Sequence, residues 1–111
     1  MLPLSNSPQE QKNNYELNFD IHTIKKAGII LRAFNHPLRQ DLIRMIHDHK
    51  SIMVTQLYTQ LRIEQSVASQ HLALLRKAGI VTIVRQGKHR YYSINPVRID
   101  EIKDFAKKLV G

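Results

Sequence analysis

The sequence predicts a mainly α-helical fold of about five helices, with two to three short strands that include a small β-hairpin. Residues 64–78 have the period of an α-helix, and residues 81–94, which follow at once, have the period of two that is typical of β-strands. Two prolines, Pro37 and Pro96, stand where further helices can begin, because proline suits the first turn of a helix.

The first helix is predicted at residues 20–34. It is apolar on two sides and therefore needs two surfaces to bury against. One stripe consists of Ile21, Ile24, Ala27, Leu31 and Phe34, and a second, smaller surface consists of Gly28, Ile30 and Ala33. The core of the domain would cover one side, and a second subunit is a good candidate for the other.

The second helix is predicted from Pro37 to about residue 48, because the residue before a proline avoids the helical region and so ends the first helix. Its buried face contains Leu38, Leu42, Ile43 and Ile46. His36 directly precedes it. We expect His36 to pack and to form hydrogen bonds at the turn rather than to bind a ligand.

A short strand is predicted at residues 51–54, beside the hairpin. A short helix at residues 55–60 follows it. Three side chains of this region are expected to point inward: Leu57, Tyr58 and Leu61. Residues 62 and 63 then form the turn between this helix and the next.

The helix at residues 64–78 is predicted to have one apolar and one polar face. The apolar face consists of Val67, His71, Leu74, Leu75 and Ala78, with Leu72 beside it. The polar face carries Gln65, Ser66, Ser69, Gln70 and Arg76. Gly79 follows the last periodic residue, where a left-handed C-cap needs a residue without a Cβ. We expect His71 to pack inward rather than to bind phosphate or metal.

The hairpin is predicted from Gly87, which separates two β-rich segments. The tip of this hairpin is basic, with Arg85, Lys88 and Arg90. A last helix then runs from Pro96 to about residue 110, and its apolar residues are Val97, Ile99, Ile102, Phe105, Ala106 and Leu109. A helix with a polar outer face followed by a basic ribbon is the arrangement of a recognition helix and a wing.

Three segments of the chain resemble the bacterial ArsR-type (ArsR/SmtB-like) winged helix-turn-helix repressors. They are residues 36–43 (HPLRQDLI), 66–81 (SVASQHLALLRKAGIV) and 87–94 (GKHRYYSI). The resemblance covers roughly residues 19–109. It implies a winged helix-turn-helix fold, binding to double-stranded DNA, and a homodimer formed through the first and last helices.

The charge of the chain favours an acidic partner. The formal net charge is +8 and the pI is about 10.1. Residues 62–95 contain six Lys and Arg but one acid, Glu64, so that +5 of this charge lies in the predicted helix and hairpin. Such clustering points to nucleic acid rather than to a generally solubilised surface.

Seven residues are predicted to contact DNA. On the helix, Gln65, Ser66, Ser69 and Gln70 have side chains that suit base edges, and Arg62, Lys88 and Arg90 are expected to contact phosphates or the minor groove. A homodimer would place two such helices in successive major grooves of an imperfect palindromic operator.

No metal, other cofactor or enzymatic activity is expected. The chain has no cysteine, so the cysteine metal site of some ArsR-type proteins cannot form on residues 54–61. The last helix offers Asp100, Glu101 and Asp104 without a histidine, which is a weak set for zinc. There is also no Cys nucleophile and no Gly-rich phosphate loop.

Two other functions remain open: a winged-helix module that binds an acidic protein, and a metal sensor whose His and carboxylate ligands come from both subunits. Residues 1–18 are predicted to form a flexible tail before a single domain at residues 19–111. No apolar segment approaches the roughly 20 residues of a membrane helix, and no signal peptide is recognised, so a cytoplasmic location is expected.

Overall fold

The computed structural model describes residues 16–111, and this part of the chain contains five α-helices and one three-stranded antiparallel sheet. The elements are α1 (Ile21–Phe34), α2 (Pro37–His49), β1 (Ile52–Met53), α3 (Val54–Leu61), α4 (Gln65–Lys77), β2 (Val81–Gln86), β3 (His89–Ile94) and α5 (Pro96–Val110). The predicted fold class is confirmed. Most of the tail predicted at residues 1–18 lies outside the described residues.

Three of the helices begin at a side chain that caps the first turn. The Asp20 carboxylate accepts hydrogen bonds from the His22 N–H and the Thr23 hydroxyl at the start of α1. His36 Nδ1 accepts from the Leu38 N–H at 3.2 Å before α2, which gives this histidine the role expected from the sequence. Asn95 Oδ1 accepts from the Arg98 N–H before α5 in the same way.

The sheet has the strand order β1-β3-β2. In the hairpin, Val81 lies opposite Ile94 and Gln86 opposite His89, so the register is unbroken from base to tip. The strand predicted at residues 51–54 is shorter than expected. Val54 belongs to α3, because the Gln56 side chain accepts a hydrogen bond from the Met53 N–H and so starts the helix there.

The core gathers residues from all five helices and from the sheet around α4. Its fully buried large side chains are Leu42, Ile46, Ile52, Leu57, Leu72, Leu75, Ile80 and Val81. By contrast, α5 buries one residue, Ile102, and α1 buries one, Ala33. In the single chain, α1 leaves Ile21, Ile24 and Ile29 exposed. Helix α5 leaves four apolar residues exposed: Val97, Phe105, Leu109 and Val110.

The apolar face predicted for α4 is partly wrong. The helix buries Ala68, Leu72 and Leu75, whereas Leu74 remains 46% exposed and Val67 is half-buried. The stripe that faces the core is thus turned by about one residue from the predicted one. The core contacts of α4 with α2, α3 and β2 select this stripe, and they are not visible in the periodicity of one helix.

Two neighbouring leucines test this orientation. We expect Leu72→Ala to lower the free energy of unfolding by about 2 to 5 kcal/mol, because it leaves a cavity in the core. Leu74→Ala should cost less than about 1 kcal/mol, since the side chain is largely solvated. Urea denaturation of both variants at one protein concentration measures the difference, and similar losses would contradict the observed orientation.

Candidate nucleic-acid interface

Helices α3 and α4 form a helix-turn-helix. Helix α3 ends at Leu61, and the next residue, Arg62, has a left-handed backbone with φ of 56°. The Ile63 N–H donates to the Tyr58 carbonyl at 3.0 Å. The chain then extends through Glu64 and enters α4. The left-handed residue reverses the chain in a short turn, and α4 therefore starts close to the end of α3.

The four polar residues predicted on α4 share its solvent-exposed side. Gln65, Ser66, Ser69 and Gln70 are all exposed, opposite the buried stripe of Ala68, Leu72 and Leu75. Spacings of three and four residues place Ser66 beside Ser69 and Gln70 on one helix surface. This surface offers amide and hydroxyl groups that both donate and accept hydrogen bonds. Their contact with DNA stays a prediction.

The hairpin of β2 and β3 projects a basic, exposed tip. Arg85 lies directly opposite Arg90, and Lys88 lies in the turn after Gly87. Residues 81–95 contain no acid. The positive charge of the tip is therefore not balanced within the hairpin. Like charges that face each other across two strands are also destabilising.

A groove connects α4 to this hairpin. It is lined from the helix side by Ser69, Leu72, Ala73, Arg76 and Lys77, and from the sheet side by Ile83, Arg90 and Tyr92. Ser69 and Arg90, both predicted from the sequence, are thus brought to one surface. Arg76 and Lys77 were not among the predicted contact residues, although Arg76 lies seven positions after Ser69 and therefore on the same helix side.

The predicted contact residues are not all gathered in that groove. Arg62 lies at the N-terminal side of α4, and Lys88 lies at the far end of the hairpin. The candidate interface therefore consists of Arg62, the exposed side of α4, the groove and the hairpin tip.

The comparisons with known proteins agree with this geometry. Residues 34–84 match a family profile described as a helix-turn-helix domain. The chain is 36% identical over 73 residues to the transcriptional repressor PagR of Bacillus anthracis, which covers 66% of this chain and 73% of that protein. It is 33% identical over 85 residues to an uncharacterised HTH-type transcriptional regulator of Methanocaldococcus jannaschii, and the match covers 77% of this chain and 96% of that protein.

Solved structures show the same fold. The crystal structure of PagR superposes with a TM-score of 0.62 and 32% identity, covering 78% of this chain and 99% of that one. An ArsR-like regulator from Rhodococcus superposes with a TM-score of 0.69 and 16% identity, covering 79% of this chain and 82% of that one. At this identity the likeness shows the fold alone. The chain belongs to the ArsR-type family of winged helix-turn-helix transcriptional regulators.

As an ArsR-type regulator, the chain belongs to a class of DNA-binding proteins that are not enzymes, which confirms the expectation about enzymatic activity. Within residues 16–111 of one chain, no group of three or more His, Asp or Glu gathers as a metal site. No helix in the same residues is both long and apolar enough to cross a bilayer.

A buried polar cluster lies behind α4. Arg39 is 8% exposed, and its guanidinium contacts His71 of α4, which is half-buried as expected. Burial lowers the pKa of His71 below its ordinary value, and the neighbouring His36 and Arg39 lower it further. The sequence did not reveal this cluster, since an arginine two residues after Pro37 is ordinarily a surface residue.

The left-handed turn gives a test at Arg62. Arg62→Gly should be more stable than Arg62→Ala by about 1 kcal/mol, because glycine adopts positive φ without the clash of a Cβ. Both variants remove the same charge and should weaken DNA binding alike. Denaturation curves measure the stability difference, and equal stabilities would indicate that the turn is not strained.

Proposed function

We propose that this chain is a homodimeric repressor that binds double-stranded DNA at an imperfect palindromic operator. The observation that carries the proposal is that all seven predicted residues are exposed, at the start and on the polar side of α4 and on the basic hairpin, and that Ser69 and Arg90 line one groove between them. In this proposal, α4 enters the major groove and the hairpin is the wing.

In this proposal, side chains of α4 contact the base edges. Gln65 and Gln70 can each form paired hydrogen bonds with adenine, and Ser66 and Ser69 can contact bases or phosphates. The buried stripe of α4 supports this role, because it fixes the helix against the core while the four polar side chains remain free. A helix of 13 residues is long enough to lie in a major groove.

The basic residues would position the protein on the backbone. Arg62 approaches phosphates beside the start of α4, and Lys88 and Arg90 approach phosphates or the minor groove from the wing. Arg76, which lines the groove between helix and wing, is added to this set from the geometry. Each phosphate that is neutralised releases counterions, so affinity should fall steeply with salt.

The homodimer would form through α1 and α5. Both helices expose large apolar side chains that have no cover within the described chain: Ile21, Ile24, Ile29, Val97, Phe105, Leu109 and Val110. Apolar surface of this extent on two neighbouring helices is typical of a protein–protein contact. A two-fold dimer would then set two α4 helices about 34 Å apart, in successive major grooves.

Repression is supported by the name of PagR, a transcriptional repressor of which this chain spans 73%. A dimer bound at an operator excludes other proteins from that DNA. A ligand or a partner that favours a dimer with another helix spacing would release it. No metal or other cofactor is included, since the chain lacks cysteine and α5 lacks histidine.

DNA binding is tested by fluorescence anisotropy over a salt series, with duplex DNA from the chain's own upstream region and a scrambled duplex. The double variant Lys88→Ala and Arg90→Ala should lower the magnitude of the salt slope by about 3.6, because each subunit of the bound dimer loses two phosphate contacts and each contact contributes about 0.9. The matched control removes two cations from the groove between α2 and α5, Arg44 and Lys103, and should keep the slope.

A preference for the upstream duplex of roughly a thousandfold fits operator recognition. If the scrambled duplex binds equally well, sequence-specific recognition of that region is wrong. If neither duplex binds at low salt, the repressor proposal fails, and binding to an acidic protein becomes the better interpretation of the basic surface.

The dimer is tested by one buried charge at the proposed interface. Ile24, which is 56% exposed in the single chain, is replaced by Glu, and the wing residue Val84, which is 49% exposed, is replaced by Glu as the control. Ile24→Glu should weaken dimerisation at least tenfold, because a carboxylate loses its hydration in the contact. Analytical ultracentrifugation measures this, and an unchanged dimer would exclude α1 from the interface.

A further inference from the structure

Arg39 connects two helices to α2 through a single guanidinium group. Its Nε donates to the Ala33 carbonyl at 2.6 Å, and its Nη2 donates to the Arg32 carbonyl at 2.9 Å. Both carbonyls belong to the last turn of α1, where backbone oxygens lack helical partners. The third contact joins Nη1 to His71 Nδ1 of α4 at 3.1 Å.

The chemistry of these partners fixes the state of His71. A guanidinium carries donors and no acceptor, and it stays protonated at all ordinary pH values. His71 Nδ1 must therefore accept the hydrogen bond, which leaves the proton of a neutral imidazole on Nε2. A protonated imidazole has donors on both nitrogens, so it cannot form this contact.

We propose that Arg39 is the positioning residue of the DNA-reading helix, that it acts through neutral His71, and that protonation of His71 therefore weakens DNA binding. The inference rests on the proposed function, because it takes α4 as the reading helix. It adds a physical connection between α1, which carries apolar surface for the proposed dimer, and α4. It also adds a condition, since the connection exists only while His71 is neutral.

The surroundings of His71 make protonation unfavourable in the folded chain. The ring of His36, at the start of α2, lies 4.9 Å from the ring of His71, and the Arg39 guanidinium of α2 lies against Nδ1. No carboxylate among the described residues forms an ion pair with His71. A proton on His71 thus adds positive charge beside a fixed cation and a second titratable ring, without a compensating acid.

The direction of the pH effect follows from this placement. Burial, His36 and Arg39 lower the pKa of His71 in the folded chain below its ordinary value of 6.5. The unfolded chain therefore binds the proton more tightly. The contribution of neutral His71 to the free energy of unfolding is complete above about pH 6.5. It is lost as the pH falls through the lowered pKa of His71 in the folded chain.

The main test compares the wild type with His71→Asn. The Asn amide oxygen stands one bond beyond Cγ, as Nδ1 does, so it can accept from Arg39 without titrating. Operator affinity of the two proteins is measured by anisotropy at about pH 8 and about pH 5.5, a range that spans histidine titration. Contributions from the four histidines away from this contact are common to both proteins and cancel in the comparison, and the contribution of His36 is measured with its own variant.

On acidification, the wild-type Kd should rise about tenfold more than that of His71→Asn, because His71 is only partly protonated at about pH 5.5 and each of the two subunits then contributes about threefold. At about pH 8 the two affinities should agree within about threefold. Equal pH dependence in the two proteins would overturn the proposal.

Arg39→Lys separates positioning from general stability. Lysine keeps the charge but cannot donate to three acceptors in the planar arrangement of the guanidinium. If Arg39 acts through His71, adding the His71→Asn substitution to the Arg39→Lys variant should no longer change the pH dependence. If Arg39 has only a structural role, His71→Asn changes the pH dependence in the Arg39→Lys variant as fully as in the wild type, and the proposal is wrong.

His36→Asn is the matched control for the second ring. Asparagine is a good N-cap, so this variant keeps the cap of α2 and leaves His71 in place. It should retain at least half of the wild-type pH dependence. Loss of the whole dependence in this variant would assign the effect to His36 and would overturn the role of His71.

A readout without DNA distinguishes failure of this inference from failure of the proposed function. The ¹⁵N chemical shifts of the His71 ring report which nitrogen carries the proton, and they should show Nε2–H with an unprotonated Nδ1 at about pH 8. A proton on Nδ1 would overturn the inference even if DNA binds. Conversely, the expected tautomer with no DNA binding would support the connection between the helices and reject only its role in DNA recognition.

Discussion

The rotation of α4 about its axis depends on one constraint: Ala68, Leu72 and Leu75 must be buried together against α2, α3 and β2. Burial of this stripe determines the rotation of the helix about its axis. The other side then has to face solvent, and its side chains are short or uncharged except at the C-terminal end. Core packing and the composition of the candidate interface are therefore two consequences of the same helical periodicity.

Hydrogen bonds connect α4, or the segment directly after it, to both helices that expose apolar surface, α1 and α5. On one side, Arg39 joins the last turn of α1 to His71. On the other side, the Asn95 side chain donates to the Gly79 carbonyl at 3.0 Å, and the Asn95 backbone N–H donates to the Ile80 carbonyl. These two bonds hold the end of α4 and the base of the hairpin against the start of α5. Both helices of the proposed dimer contact are thus hydrogen-bonded to α4 or to the segment that joins α4 to the hairpin.

The sequence was sufficient to predict the helices and strands and their order, because local residue types indicate where each of them begins and ends. Proline at 37 and 96, and Gly79 and Gly87 with positive φ, define where helices and the hairpin start or stop. It was insufficient for the rotation of α4, since Leu74 and Leu75 differ by one position and only tertiary contacts choose between them. It also missed Arg39, whose burial depends on carbonyls and a histidine from other parts of the chain.

The wing shows why a polyanion is a better partner for this surface than an acidic protein. Arg85 and Arg90 face each other across the strands, an arrangement that destabilises the hairpin unless negative charge from a partner lies between or beside them. Protein interfaces usually have an apolar centre. The exposed side of α4 instead presents Gln and Ser, with Arg62 before the helix, and with Arg76 and the hairpin cations after them. Hydrogen-bonding groups in the middle with cations at the edge match a base pair flanked by two phosphate backbones.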